Sequence, residues 1–321
     1  MDVLSQLLSR MPVTGRLDVR CQFGQPWRIE EPASAYRDIR YHVLLSGMAR
    51  VEDGNGDAQP LRPGDIVLFP GGGAHVLHDG SGLPPQPAHK DNEGHVAVVS
   101  SGDARAITDL LCGRFRVPAA SQRLLSSQLP ARLIVRGVDP QADETDDAQV
   151  LSAGSRLARL VSLMREEAQE QGPGSEVMLN HLSAALFGLA LRLASLGQGA
   201  PQGLLALARA PLLQPAVNAM LQAPGEDWSL PVLAALCNMS RATFIRHFDA
   251  ACGCMPSTFL LGLRMAQACT RLADTRQSIA GIDEQVGYQS DAAFQRAFKK
   301  HVGMTPAHWR VQARAEAAGA G

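Results

Sequence analysis

Two stretches near the end of the 321-residue chain, "SRATFIRHFDAACGCMP" from Ser240 and "SDAAFQRAFKKHVGMTP" from Ser290, follow one template. Each runs Ser, x-Ala-x-Phe-x-Arg-x-Phe, four residues, Gly, two residues, Pro. On a helix the Ser is an N-cap, its hydroxyl accepting from a free backbone N–H of the first turn. Phe244 and Phe248 are then i, i+4 neighbours forming the buried side, while Ala242, Ile245 and Arg246 form an outward stripe. In the second copy Phe294 and Phe298 face in and Ala292, Gln295 and Arg296 face out. Each copy follows a short helical run and a tight turn, "LPVLAALCNM" in the first and Ile282 to Val286 with Gly287-Tyr288 in the second. A short helix, a tight turn and a second helix with a readable outer face describe a helix-turn-helix, here written twice.

Between the copies, Leu260, Leu263, Ala266 and Leu272 sit at helical spacing, interrupted by Gly262. A helix from Pro256 to Leu272 spans about 24 Å. Together with the two motifs, it matches the roughly 34 Å recurrence of major grooves on one face of B-DNA. The pair is therefore expected to read two successive grooves of a promoter duplex. Arg246 and Arg296 are suited to bidentate contact with guanine and Gln295 to adenine. Arg241 and Asp291 open the two reading helices, and Lys299, Lys300 and His301 are placed for phosphates, which position without specifying. From Glu226 onward there are ten Lys and Arg against eight Asp and Glu, while the whole chain has a net charge of −1. Charge alone is thus weak support for a polyanionic partner.

The C-terminal segment, roughly 225–312, resembles the AraC/XylS family of bacterial transcription regulators. The likeness rests on "IDEQVGYQSDAAFQRAFKKHVGMTPAHWR": the Gly287-Tyr288 turn, Phe294, Arg296, Phe298, Gly303, Pro306 and the final Trp309-Arg310. It implies a DNA-binding regulator, an activator that works with RNA polymerase, and not an enzyme. Where that family usually has Ala, this chain has Asp283.

Apolar content is 45% and charged content 19%, the balance of a folded chain. Residues 17 to about 117 alternate short apolar runs ("YHVLLSG", "ARVEDGNGD", "DIVLFPGGG", "HVAVVSSGD") with turn chemistry, which reads as a compact β-fold. "LPPQPAHKDNEG" reads as a long loop. From about 147 the pattern turns helical, with Leu157, Leu160, Val161 and Met164 on one stripe. Leu179, Leu182, Leu186, Leu189, Leu193 and Leu196 then step by threes and fours as a heptad seam. Either a homodimer contact through 175–197 or packing on the β-domain or preceding helix would use that seam. The expected architecture is α+β and multidomain: a cupin-like sensor barrel over 1–146, a helical connector over 147–202, and an all-α double helix-turn-helix domain over 203–321. Pro211 is expected in a helix first turn, with Pro224-Gly225 ending that helix.

"GDIVLFPGGGAH", from Gly64 to His75, fits the second half of the cupin signature, a strand and turn lining the mouth of a small β-barrel. In metal cupins that His is a ligand, but upstream there is only His42, with Glu52 ten residues on, in place of the usual His-x-His and Glu. No metal or other cofactor is expected. His42 and His75 are candidate ligand-binding residues, a rim hydrogen bond being the alternative for His75. Histidines 78, 89 and 95 have no telling spacing. A metal-dependent cupin enzyme fused to a DNA-binding domain is the reading from another class.

The N-terminus "MDVLSQLLSRM" lacks a basic region followed by a long apolar run, and no stretch approaches the roughly 18 uninterrupted apolar residues of a membrane span. With six cysteines and no secretion signal, a reducing cytoplasmic setting is expected. Cys237, Cys252, Cys254 and Cys269 read as small buried hydrophobes, and "CGC" at Cys252–Cys254 is too tight for a zinc site. Cys21 and Cys112 flank the barrel near Arg20 and Arg114, cations of the kind that lower a thiol pKa.

The N-terminal half is similar to the cupin-type sensors of an AraC subgroup that includes a reactive-chlorine-responsive activator. The likeness lies in "MDVLSQLL", in Cys21, Gly24 and Trp27 of a C-x-x-G-x-x-W run, in "LRPGDIVLFP" and in Cys112-Gly113. In that activator hypochlorous acid joins two sensor cysteines as a disulfide, and transcription rises. The resemblance implies Cys21 and Cys112 here. A small organic ligand in the barrel cavity, the common mode of the wider family, is the alternative trigger.

Overall fold

In the computed structural model of the protein, residues 2–318 are described apart from 11–12, 34–37, 55, 57, 93–95, 103–107, 118, 138–147, 171, 198–201 and 275–276. The chain opens with α1 (Val3–Arg10) and continues through β1 (Thr14–Phe23), β2 (Arg28–Glu31), β3 (Asp38–Ser46), β4 (Ala49–Asp53) and β5 (Gln59–Leu61). β6 (Ile66–Phe69), β7 (His75–His78), β8 (His89–Asp91), β9 (Ala97–Ser101) and β10 (Thr108–Arg116) follow, then α2 (Ala119–Gln128) and β11 (Leu133–Val135). The rest is helical: α3 (Ala148–Glu170), α4 (Ser175–Leu196), α5 (Leu204–Ala208), α6 (Gln214–Gln222), α7 (Leu230–Leu236) and α8 (Arg241–Cys252). α9 (Pro256–Asp274), α10 (Ile279–Gln285), α11 (Asp291–Val302) and α12 (Pro306–Ala318) complete it.

Two compact units form. The barrel unit comprises 12–117 and 130–200, and the helical unit 1–11, 118–129 and 201–321. These divisions are drawn differently from those expected at 146 and 202. In the barrel unit a seven-stranded sheet, in the order β11-β6-β3-β10-β1-β9-β8, faces a four-stranded sheet, β2-β7-β4-β5. All four residues of β6 are buried, as its unbroken apolar run requires of a strand covered on both faces. Cys21, Phe23, Trp27, Leu44, Val51, Val67, Phe69, Leu77, Leu110 and Cys112 fill the space between the sheets. Within the expected long loop, β8 adds a short exposed strand to β9.

Helices α3 and α4, expected as a connector, pack together, and α4 covers the outer face of the large sheet. Tyr41 Oη lies 3.0 Å from Ser183 Oγ, and the Phe115 and Phe187 rings are 5.0 Å apart. A Cβ on Gly15 would stand 2.3 Å from Ser183 Cβ, so the close seat of α4 on β1 requires glycine there. Of the leucine seam, Leu179, Leu186 and Leu193 are buried inside the subunit, and Leu182, Leu189 and Leu196 are half-buried. By length and composition α4 would also suffice to cross a membrane, a property shared by core helices such as this one.

Two short helices from the sensor half of the sequence belong to the helical unit. α1 buries Val3, Leu4 and Leu7, packs on α6, and Gln6 donates to Asn218 at 3.1 Å. α2 packs on α9. Pro211 does not open a helix; it sits in a turn, with Gln214 N–H bonded to its carbonyl, and Pro215 takes the first-turn position of α6.

Candidate functional site

In each reading motif the cap and the aromatic pair are where the repeat places them. Ser240 Oγ accepts from Thr243 N–H at 3.2 Å and Ser290 Oγ from Ala293 N–H at 3.3 Å. Phe244 and Phe248 are fully buried in the first motif, and Phe294 and Phe298 in the second, where they share a core with Trp309. α10 starts earlier than expected, at a cap on Ser278 whose Oγ accepts from Gly281 N–H at 3.1 Å. Gly287, at φ 82, makes the turn, and Tyr288 N–H closes it on Asp283 O at 2.9 Å. Asp283 is itself buried, and Ile282 and Val286 still dock fully.

The outward faces hold the expected side chains. Arg241, Ala242 and Arg246 on α8, and Asp291, Ala292, Gln295, Arg296, Lys299 and Lys300 on α11, are exposed; Ile245 is half-buried. Gln295 Nε2 donates to Asp291 Oδ2 at 2.7 Å, which fixes the amide along the helix. α9, of 19 residues, separates the two readers.

In the barrel unit, sheet register brings together residues far apart in sequence. Val19 pairs with Cys112 and Cys21 with Leu110, so the two cysteines point inward as diagonal neighbours on β1 and β10. Both thiols are free and buried, and they lie against each other. They border a cavity of about 270 Å³ also lined by Phe23, Trp27, Val99 and Ser101. Trp27 Nε1 and Ser101 Oγ are buried and lack a partner among the described residues.

His42 stands beside the pair, its Nδ1 3.0 Å from Cys112 Sγ and its Nε2 2.8 Å from His75 Nε2. His75 Nδ1 lies 2.9 Å from the Gly73 carbonyl oxygen. A carbonyl only accepts, so His75 carries its proton on Nδ1 and presents a bare Nε2. His42 then donates from Nε2, leaving Nδ1 to accept the Cys112 S–H. Both rings are neutral: burial and then His75 hold His42 well below the usual histidine range, and burial lowers His75 to about 4. The close contact with the Cys21 sulfur, and then burial, push the Cys112 thiol well up.

That direction corrects the expectation that Arg114 lowers the Cys112 pKa, and the arginine beside Cys21 does not face the thiols. Successive residues of a strand point to opposite faces. Arg20 therefore leaves the cysteine side and binds Asp109 on the outer face, Nε to Oδ1 at 2.9 Å and Nη2 to Oδ2 at 2.6 Å, both side chains buried. With its carboxamide oxygen turned inward, Gln169 of α3 accepts from the same guanidinium at 2.9 and 3.1 Å. Arg114 is held by Asp18 and Asp38. No spacing could have shown the Arg20–Asp109 pair, 89 residues apart.

Of the other histidines, His78 pairs with Glu52 at 3.1 Å, His89 is exposed on β8, and His95 lies outside the described residues. Among the described residues no three His, Cys, Asp or Glu side chains are grouped to hold a metal ion.

The chain matches the family described as Cupin over residues 2–194, and a helix-turn-helix domain family over 233–312. It is 29% identical to the RCS-specific HTH-type transcriptional activator RclR of Escherichia coli K12, covering 98% of this chain and 99% of that one. It is 28% identical to the HTH-type transcriptional regulator MtrA of Neisseria gonorrhoeae, covering 97% and 99%. Among solved structures, an AraC-type regulator of Chromobacterium violaceum matches at 30% identity and a TM-score of 0.31, over 33% of this chain and 94% of that one. The chain belongs to the cupin family and is an AraC-type DNA-binding transcription regulator, with its cupin domain first and its helix-turn-helix domain last.

Proposed function

We propose that the protein is a cytoplasmic activator switched by hypochlorous acid or a related oxidant through a Cys21–Cys112 disulfide. The observation that carries this reading is the direct contact of the two thiols at the edge of one cavity. The Escherichia coli relative, named as an RCS-specific activator, supports it. Hypochlorous acid chlorinates Cys21, giving a sulfenyl chloride and water. Cys112, held as a thiol, then attacks that sulfur and chloride leaves. His42 Nδ1 takes the Cys112 proton as the S–S bond forms, and passes its own Nε2 proton to His75. In sum two thiols lose two electrons to one chlorine atom, and chloride, water and one proton are released.

DNA is read through Arg241, Ala242, Ile245 and Arg246 of α8 and Asp291, Ala292, Gln295, Arg296, Lys299 and Lys300 of α11, and RNA polymerase is the partner in activation. A second copy docking along 175–197 would use the exposed Val177 and Met178 with the half-buried Leu182, Leu189 and Leu196. One observation favours a second trigger. The unpartnered Trp27 N–H and Ser101 O–H border the same cavity and suit a small organic effector with acceptor atoms.

The test is mass mapping of thiols after brief hypochlorite treatment, paired with promoter binding by wild type, Cys21→Ala and Cys112→Ala. The switch requires a Cys21–Cys112 disulfide and a change in DNA binding in wild type alone. If both cysteines stay reduced, or both variants respond as wild type does, the cavity effector replaces it.

A further inference from the structure

The Cys252-Gly253-Cys254 run closes the first reading helix. α8 ends at Cys252, and Gly253, at φ 71, caps it with its N–H on Asp249 O at 2.8 Å. This left-handed turn brings Cys254 back over the helix end, with the two sulfurs 3.4 Å apart. Cys252 is buried and donates its S–H to Gln128 Oε1 at 3.2 Å, whereas Cys254 is half-buried. Burial, and then the contact with Cys254, push the Cys252 thiol well up.

Around the same helix end, Gln202 Nε2 donates to Ala250 O at 3.2 Å and Gly203 N–H to Ala251 O at 2.9 Å. Gly203 approaches Gln128 so closely that a Cβ on it would stand 2.2 Å from the Gln128 carbonyl oxygen. Gln128 is almost the last residue before the chain leaves for the barrel unit at Pro130. Gln202 is almost the first after it returns at Pro201. The tail of the first DNA reader is thus tied to both of these chain crossings, and the Cys252 thiol is one of the ties.

We propose that Cys252 and Cys254 are a second, independent redox pair: oxidation by a low-molecular-weight disulfide joins them over Gly253, releases Gln128, and resets the end of the first reading helix. Cys254, the more accessible thiol, attacks the small disulfide as its thiolate and expels one thiolate, leaving a mixed disulfide. Cys252 gives up its proton, attacks Cys254 Sγ and expels the second. Both cysteine protons end on the two small thiols, so the exchange moves two electrons and balances. The sulfurs must close to about 2.05 Å across a single intervening residue. A bridge this constrained is readily reduced, which places it among regulatory disulfides and not structural ones. The oxidised pair can no longer donate an S–H to Gln128.

The experiment uses the full chain carrying Cys21→Ser and Cys112→Ser, so that it stands apart from the barrel switch, equilibrated in glutathione buffers of rising oxidised fraction. The expected result is a peptide holding residues 252–254 that is lighter by two hydrogens, with promoter affinity changed several-fold. Adding Cys254→Ser, a half-buried position that leaves the core intact, abolishes both effects. A stable glutathione adduct on Cys254, two free thiols in excess oxidised glutathione, or a disulfide that leaves DNA affinity unchanged would each overturn the proposal.

Discussion

Removing the Arg20–Asp109 ion pair is expected to stabilise the Cys21–Cys112 disulfide, and strand geometry sets the size of the effect. Cys21 faces Leu110, so Cys112 lies displaced toward the start of β1; Arg20 faces Leu111, so Asp109 lies displaced toward its end. The two contacts thus run along opposite diagonals on opposite faces of one ladder. Diagonal neighbours on antiparallel strands stand about 7–8 Å apart, whereas a disulfide takes Cα separations of about 4.4–6.8 Å. Closing the bridge therefore slides β10 by about 1 Å toward the end of β1. The same slide draws Asp109 away from Arg20 and carries bonds of 2.9 and 2.6 Å past hydrogen-bonding length. Losing a buried charged hydrogen bond costs about 2–3 kcal/mol. For a two-electron couple this is about 40–60 mV. Either single replacement would strand a buried charge at about 3–5 kcal/mol, so the variant to make is Arg20→Met with Asp109→Leu. A glutathione titration of the pair, read by mass mapping, should show a reduction potential lower by about 40–60 mV than wild type. A potential that stays within about 10 mV, or rises, would falsify the opposed-diagonal reasoning. Because Gln169 holds the same guanidinium, oxidation should also speed amide exchange in the last turn of α3.

Replacing the proton acceptor beside Cys112, as in His42→Phe, should slow disulfide formation at least about tenfold while leaving loss of the Cys21 thiol unchanged. The Cys21 sulfenyl chloride would then be hydrolysed by water, losing chloride and a proton, and dimedone-trapped sulfenic acid would accumulate; an undiminished disulfide rate would remove His42 from the reaction. His75 titrates near 4 when folded and near 6.5 when unfolded, so below pH 6.5 the unfolded chain binds more protons. Stability should be insensitive to this group above pH 6.5 and fall by up to about 3 kcal/mol as pH drops from 6.5 to 4. Urea denaturation of His75→Gln should lack that part of the slope. A Cβ on Gly113 would stand 2.2 Å from Arg16 O and 2.6 Å from Tyr41 Oη. Gly113→Ala should therefore lower stability by about 1–3 kcal/mol, seen as an earlier thermal midpoint. On DNA, Arg296→Ala should relax discrimination at one base pair by about 1–3 kcal/mol. Lys299→Ala should instead weaken all sequences alike and reduce the salt slope by about one.

The reading helices were legible because their determinants are local. A Ser cap, two Phe one turn apart and a closing Gly lie within fourteen residues, from Ser240 to Gly253, and the same set recurs at Ser290. The barrel strands were legible for the related reason that turn residues bound short apolar runs. What covers an amphipathic segment is not local. α1 and α2 carry ordinary apolar faces, and only the fold assigns them to α6 and α9 and not to the barrel their sequence adjoins. The same limit governed the cysteines. Sequence neighbours suggested that Arg20 activates Cys21, but strand alternation sends that arginine to the other face, where it meets Asp109 and Gln169. The groups that do touch Cys112 are His42, 70 residues away, and Cys21 across the ladder. Alternation thus divides β1: its inner face carries Cys21 and its outer face the ion pair that reaches α3. One strand can couple chemistry inside the barrel to the helices outside it only because neighbouring residues point in opposite directions.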